Sequence, residues 1–284
     1  MATQILRTVP EAQRFSEAAS LERRRLALVP TMGYLHEGHL SLMREARGRA
    51  DVVVTSIFVN PTQFGPKEDL SHYPRDFEGD LSKCEGVGVD AVFAPDASAL
   101  YPPGYQTYVE VAELSKGLCG ERRPGHFRGV ATVVTKLFNL FRPQVALFGE
   151  KDYQQLLVLK ALARDLDMGV EVVGLPTVRE PDGLAMSSRN AYLSSGERGR
   201  ALSLSRGLRE AQSLARDGVS DTRTLVMAVR RELQEAGVRE DYVEIVDAAT
   251  LTPLSSLAPG QGARILVAGF LGTTRLIDNM AIGG

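Results

Sequence analysis

Apolar residues in the first two-thirds of the chain fall in short unbroken runs separated by stretches of helical periodicity. Leu26 to Pro30 (LALVP) and Asp51 to Asn60 (DVVVTSIFVN) are nearly all apolar, the pattern of strands buried on both faces of a parallel sheet. Between them Leu40, Leu42, Met43 and Ala46 recur at helical spacing, so the segment reads as a right-handed βαβ unit. The alternation continues with a helix over Phe77 to Glu85 and strands at Asp90 to Ala94 and Tyr108 to Val111, then a loop over Gly117 to Gly129. A helix from Val130 to Phe141, a strand at Val145 to Phe148, a helix from Tyr153 to Asp167 and a strand at Val170 to Val173 complete it. The expected fold class is α/β, a Rossmann-like doubly wound parallel sheet over residues 1–177.

Beyond Pro176 the order changes. A polar, turn-rich stretch (VREPDGLAMSSRNAYLSSGER) leads to helices at Ser195 to Ala215 and Thr222 to Ala236, the first fixed by a Ser194/Glu197 capping box. Strands at Asp241 to Val246, Ala263 to Phe270 and Thr274 to Ile277 follow. Helices grouped before strands predict a second, smaller α+β domain over residues 178–284, expected to close over the site of the first.

Composition narrows the function classes. The chain has 284 residues, 44% of them hydrophobic, enough for one large or two ordinary cores. Its 33 Lys+Arg against 35 Asp+Glu give a net charge of −2, which speaks against a general nucleic-acid binder, whose phosphate contacts need a basic face. No apolar run is long enough to span a membrane, and MATQILRTVPEAQRFSE lacks the apolar core of a signal peptide. The two cysteines, Cys84 and Cys119, make no disulfide framework and lack metal-ligand spacing, so a reducing cytoplasm is expected.

Candidate chemistry gathers where strands end. Two of the four histidines stand three residues apart in PTMGYLHEGH, Pro30 to His39, between the first strand and the first helix. A strand-to-helix turn is expected to offer backbone N–H groups and the positive helix end to phosphate, with Gly33 and Gly38 allowing close approach. Residues three apart in a first helical turn share a face, so both imidazoles can meet one anion. Two weaker readings are a zinc half-site, for which no third ligand is evident and HExxH spacing is absent, and ordinary surface or capping histidines. Gly149, Glu150, Lys151 and Asp152 follow a second strand end and again open a helix, where Lys151 can meet phosphate; alternatively Asp152 caps that helix with Gln155 and Lys151 is solvated. Arg122, Arg123, Gly125, His126 and Arg128 form a compact basic loop suited to a carboxylate or polyphosphate, or simply a solvated one. Met186, Ser187, Ser188 and Arg189 offer hydroxyls and a guanidinium to a leaving pyrophosphate, while Asn60, Thr62 and Gln63 offer neutral donors and acceptors.

With these residues in view the chain resembles the pantothenate synthetase (pantoate–β-alanine ligase) family of the HxGH nucleotidyltransferase superfamily. The resemblance runs from about Leu26 to Leu193 through PTMGYLHEGH, SIFVNPTQF, YPRD, RPGHFRGV, FGEKDYQQL and MSSRN in the family's order. It implies that pantoate carboxylate attacks the α-phosphorus of ATP, with Mg²⁺, to give a pantoyl adenylate and pyrophosphate, and that β-alanine then displaces AMP to form pantothenate. Carried over motif by motif, ATP would lie against Met32, Gly33, Tyr34, Leu35, His36, Glu37, Gly38 and His39. It would also meet Gly149, Glu150, Lys151, Asp152, Val178, Met186, Ser187, Ser188 and Arg189. The implied catalytic set is His39 as proton donor with His36, Lys151 and Arg189. Gln63 and Gln155 would bind pantoate, Gln63 also β-alanine, with Asn60, Arg123 and His126 in support and Asp80 linked to magnesium. A homodimer without nucleic-acid or membrane partners is likewise implied. Thr62 stands where many relatives are expected to carry methionine, which leaves Gln63 in place.

Three other functions fit parts of this pattern. A nucleotidyltransferase that leaves AMP on its substrate would stop at the first step. An aminoacyl-tRNA synthetase core would need a basic appendage that the charge balance does not provide. A non-catalytic nucleotide sensor would have no need of His36, His39, Lys151 and Arg189 together.

Overall fold

The computed structural model describes residues 3–66 and 68–283, so Lys67 lies outside the described residues. The chain divides into two compact units, Met1–Glu150 with Gln155–Pro176 and Lys151–Gln154 with Thr177–Gly284. Lys151–Gln154 groups with the second unit, and the later break falls after Pro176.

The first unit runs β1 (Gln4–Leu6), α1 (Val9–Leu21), β2 (Leu26–Thr31), α2 (Glu37–Arg49), β3 (Val52–Ile57), α3 (Phe77–Gly86), β4 (Ala91–Phe93), α4 (Ala97–Leu100), α5 (Leu118–Arg122), α6 (His126–Phe141), β5 (Val145–Gly149), α7 (Tyr153–Asp165) and β6 (Glu171–Leu175). Its six strands are all parallel in the order β1-β4-β3-β2-β5-β6. The continuous apolar runs have their expected cause. Leu26, Leu28, Val52 and Val54 point into a core shared with α1, α6 and α7, while Ala27, Val29 and Val53 point to the opposite face against Leu42, Met43 and Ala46 of α2 and Cys84 of α3. Each fully buried Leu or Val contributes roughly 1.5–3 kcal/mol relative to an exposed one. Pro30 sits in a central strand without harm. Its nitrogen faces β5, whose pairing with β2 covers only Ala27 and Leu28, so no ladder bond is lost.

Two expectations are corrected. Tyr108 to Val111 is not a strand: Val109 donates its N–H to the Thr132 hydroxyl at 3.0 Å and packs on the core from an irregular segment. The stretch from Gly117 to Gly129 is not all loop, since α5 lies inside it and α6 begins at His126, after Gly125 takes φ +82°. Arg128 is therefore helical. At the N-terminus β1 has too few residues to leave a periodic signal, whereas α1 carries a legible start, a Thr8/Glu11 capping box with proline in its first turn.

The second unit contains α8 (Ser195–Arg216), α9 (Thr222–Glu235) and an antiparallel sheet β7 (Arg239–Asp247), β8 (Ala263–Leu271), β9 (Thr274–Ile282) in that order. Leu204, Leu208, Leu225 and Val229 of the helices share one core with Val243, Ile245, Ile265 and Val267 of the sheet. The Ser194/Glu197 capping box opens α8 as expected. Among the described residues no helix is long and apolar enough to cross a membrane.

Candidate active site

Sheet order places the site. From β2 the chain builds outward through β3 and β4 on one side, then returns to lay β5 and β6 on the other, so the winding reverses between β2 and β5. Ligands in open parallel sheets bind beyond the strand ends at such a reversal. The turn Met32 to His36 leaves β2 there, and Gly149 and Glu150 leave β5.

The turn is differently wired from the expected phosphate cradle. Gly33 takes φ +84° and Tyr34 φ +51°. Gly33 N–H donates to the Thr31 hydroxyl at 3.2 Å, and Tyr34 and Leu35 N–H donate to the Asp80 carboxylate at 2.7 and 2.6 Å. His36 N–H donates to Nδ1 of His39 at 3.3 Å and Gly38 N–H to Nδ1 of His36 at 3.2 Å. These main-chain donors are committed within the protein, so an anion would be met by side chains. Glu37, the exposed member of the motif, pairs with both guanidinium nitrogens of Arg44.

The same bonds settle the histidine tautomers. The two rings lie 4.1 Å apart, and because both Nδ1 atoms accept, the proton of each neutral imidazole is on Nε2. A neutral imidazole with its proton on Nε2 can donate to an anion without first taking up a proton.

Asn60, only 1% exposed, caps the 3-10 turn Pro61–Gln63 by accepting from Thr62 N–H, and its amide donates to Gln63 Oε1 at 3.0 Å and Gly129 carbonyl at 3.1 Å. Gln63 Oε1 is thereby occupied, and its Nε2 faces the Met32 sulfur at 3.2 Å, so the amide presents its donor side. Thr62 adds a hydroxyl bond to Asn60 at 2.9 Å, and another to Tyr101. A Cβ at Gly129 would stand 2.4 Å from the Thr62 carbonyl oxygen, which is why α6 can approach this turn.

Arg123 and His126 hold the other side of Gln63. His126 Nδ1–H donates to the Gln63 carbonyl at 2.9 Å while its Nε2 accepts from Arg123 at 3.0 Å, so both ring nitrogens serve this framework. Arg123 also donates to the Gln63 carbonyl and bridges both oxygens of Glu68 at 2.8 and 2.5 Å. Burial pushes the Glu68 carboxyl up, but the bonds from Arg123 outweigh it and leave the group below its ordinary value. Burial works against Arg123 in the same way, and its pairing with Glu68 still raises it.

Asp80 was expected to meet magnesium. Its side chain is 1% exposed, both oxygens accept main-chain N–H groups, and burial raises its carboxyl above the ordinary range while those bonds pull the other way. Among the described residues no group of three or more His, Cys, Asp or Glu is arranged to hold a metal. The residues present therefore do not form a protein-held magnesium site, and a divalent ion would have to arrive with the phosphates of its substrate.

Gln155 is half-buried in the first turn of α7. In the second unit Met186 N–H donates to the Val178 carbonyl at 3.0 Å, and Arg179 bridges Ala185, so Val178 and Met186 come together as a short hairpin. Ser187 caps the 3-10 turn Ser188–Tyr192, accepting from Arg189 N–H. Lys151 and Ser187 line one crevice with Asn190 and Asp278, and Asn279 anchors the Lys151 carbonyl at 2.8 Å. Lys151 Nζ is 3.8 Å from Asp152, and Arg179 makes a bidentate pair with the buried Asp278 at 2.7 and 2.9 Å.

Sequence reading missed Glu68, Lys83, Asp278 and Asn279. Glu68 and Lys83 look like any charged surface residue. The adjacent buried Asp278 and Asn279 in β9 did leave a trace, a polar pair interrupting an apolar strand.

Known proteins match the chain in sequence and in fold. The model of the pantoate-beta-alanine ligase family matches residues 4–281. A pantothenate synthetase of Myxococcus xanthus is 69% identical, covering 100% of this chain and 98% of that protein. The crystal structure of a pantothenate synthetase from Thermus thermophilus superposes with a TM-score of 0.93 at 48% identity, covering 99% of this chain and all of that one. A pantoate-beta-alanine ligase from Francisella tularensis, solved in complex with beta-gamma ATP and beta-alanine, gives 0.83 at 33% identity, covering 98% and 97% of the two chains. Matched in sequence and in fold along essentially its whole length, this chain belongs to the pantoate-beta-alanine ligase family.

Proposed function

We propose that the chain condenses pantoate with β-alanine using ATP, releasing AMP, pyrophosphate and pantothenate. In the first step a pantoate carboxylate oxygen bonds to the α-phosphorus while the bond to the β-phosphate oxygen breaks, and pyrophosphate leaves with that electron pair. In the second the β-alanine amine bonds to the acyl carbon, AMP leaves as an anion, and the nitrogen loses a proton. Both steps bring anions together or release them, so catalysis is mainly orientation and neutralisation of charge.

The observation that carries the reading is the locked pair of imidazoles. With both Nδ1 atoms accepting main-chain N–H groups, His36 and His39 offer Nε2–H donors to phosphoryl oxygens as charge grows on them. His39 is the proton donor of the pair in this reading. Removing one preorganised donor of this kind costs roughly 3–4 kcal/mol, or about 10²- to 10³-fold in turnover. Gln63, its carbonyl held by Asn60, turns its NH₂ to the pantoate carboxylate and later to β-alanine, with Gln155 as the second amide. Asn60, Arg123 and His126 act through Gln63 and hold it in place. Lys151 and Arg189 neutralise phosphate charge, and the main chain of Val178 and Met186 to Ser188 takes the adenosine. Magnesium belongs to this scheme as part of the ATP substrate. The family resemblance adds a cytoplasmic homodimer, which sedimentation and cell fractionation test.

Incubation of the protein with ATP, Mg²⁺, pantoate and β-alanine, followed by mass spectrometry, tests the assignment. AMP and pantothenate in equal amounts support it; AMP without pantothenate, or ADP in its place, refutes it.

A further inference from the structure

We infer that Asp80 is a positioning residue for this reaction: its carboxylate, projected from α3, fills the main-chain cradle of the turn after β2 and so sets the two imidazoles. The inference rests on the reading of His36 and His39 given above. A strand-to-helix turn with a glycine at φ +84° and a following residue at φ +51° is the kind of backbone that gathers N–H groups around an anion. Here the anion is already present and belongs to the protein. Oδ2 accepts from Tyr34 at 2.7 Å and Oδ1 from Leu35 at 2.6 Å, with Asp80 sealed from solvent at 1% exposure.

The neighbours make this a clamp and not a chance contact. Lys83, one helical turn further along α3, donates to the Leu35 carbonyl at 2.9 Å and lies 3.9 Å from Asp80 Oδ1, so Leu35 is held at both its N–H and its C=O. Gly33 fits underneath only because it lacks a Cβ, which would stand 3.0 Å from Asp80 Oδ2 and 3.0 Å from Ile57. The next N–H along the chain, that of His36, goes to the His39 ring, and the His36 ring takes Gly38 N–H. Fixing residues 34 and 35 therefore fixes where His36 begins and which ring nitrogen each histidine turns inward. With the cradle filled, the Gly33, Tyr34 and Leu35 N–H groups are closed to an incoming phosphate, which meets the imidazoles at the start of α2. A metal-binding carboxylate would be the opposite arrangement, with oxygens open to the substrate.

The test is Asp80→Asn, which keeps the shape but sets an NH₂ against one of two N–H groups, with Lys83→Met as a milder second variant that removes the Leu35 carbonyl contact and the nearby charge but leaves both Asp80 bonds to the turn. Two readouts are taken: the imidazole ¹⁵N spectrum of the substrate-free protein above the histidine titration range, and steady-state kinetics followed by AMP release. In the unaltered protein both rings show protonated Nε2 and unprotonated, hydrogen-bonded Nδ1. Asp80→Asn is expected to mix the tautomers of His36 and His39 and to lower kcat about 10- to 100-fold, the loss of roughly one to two charge-assisted bonds, with KM for ATP moving about threefold or less. Lys83→Met should move the same signals part-way and lower kcat a few-fold, and it carries the test if Asp80→Asn does not fold. Unchanged ring signals in a folded variant overturn the inference, and so does a shift in magnesium dependence with the ring signals intact. Altered ring signals in a protein that forms no pantothenate at all would leave the clamp standing and remove the assigned reaction.

Discussion

Replacing Asn60 by aspartate probes how the Gln63 amide is oriented, because it alters one atom of a buried network. The Asn60 NH₂ now donates to Gln63 Oε1 at 3.0 Å and to the Gly129 carbonyl at 3.1 Å, and its Oδ1 receives Thr62. In Asn60→Asp a carboxylate oxygen faces two carbonyl oxygens, and the Gln63 side chain answers by turning over so that its NH₂ meets the new charge. Its Oε1 then points toward Met32, where a pantoate carboxylate would find an acceptor in place of a donor. A hydrogen bond to a charged group contributes about 1.5–3 kcal/mol, so KM for pantoate should rise about 10- to 100-fold. The Gly129 carbonyl, still bonded within α6, loses this second donor and faces the new charge, which lowers stability by about 1–3 kcal/mol. Asn60→Ala leaves Gln63 able to adopt either orientation, and its KM should rise less. Initial rates across a pantoate titration, with urea unfolding of each variant, make the comparison. A pantoate KM for Asn60→Asp within twofold of the unaltered enzyme would refute the reasoning, whatever happened to stability.

Three further outcomes follow from the same geometry. Glu68→Gln breaks the pair with Arg123, whose side chains are 24% and 13% exposed, and should cost about 1–3 kcal/mol at pH 7, between surface and buried limits. Because the folded Glu68 carboxyl sits below its ordinary value of about 4.3, that contribution is present above this pH and fades as acid takes it through the folded value; a difference in urea midpoint that stayed constant from pH 7 to 3 would contradict the assignment. Gly129→Ala should push the turn Pro61–Gln63 off α6, lowering both melting temperature and pantoate affinity, since its Cβ would fall 2.4 Å from the Thr62 oxygen and 2.7 Å from the Gln63 nitrogen. Burial, with a smaller part from the Asp80 charge, pushes the Cys84 thiol up to about 12, so folded protein should resist iodoacetamide at pH 8 at this position and react once unfolded in guanidinium. Stability tied to that thiol is whole below its unfolded value near about 8.5 and declines as pH climbs through about 12.

How much the sequence disclosed depended on whether a residue acts near its neighbours in the chain or far from them. The buried strands of the first unit were legible because burial on both faces leaves an uninterrupted apolar run, as in Leu26 to Pro30. The second unit's helices were legible through caps such as Ser194 with Glu197. Tyr108 to Val111 misled because its valines pack on the core without joining the sheet, and local pattern cannot tell those apart. The two histidines stood out as candidates because both lie at the first turn of α2, and Gln63 because it follows a strand end. The wiring was not legible. Asp80 reaches the turn across more than forty positions, and Glu68 reaches Arg123 across more than fifty, so no local pattern records either bond. That is also why the turn looked like an open phosphate cradle: its occupant comes from α3.

Exchange of labelled pyrophosphate into ATP, with pantoate present and β-alanine withheld, reports directly on whether His36 and His39 support formation of the adenylate. The unaltered protein should exchange, and His39→Ala should lose exchange by about 10²-fold or more while its melting temperature stays within a few degrees, because the ring supplies a donor to growing charge and little to the core. Exchange that proceeds undiminished in His39→Ala, or that is absent from the unaltered protein while pantothenate still forms, would contradict the account.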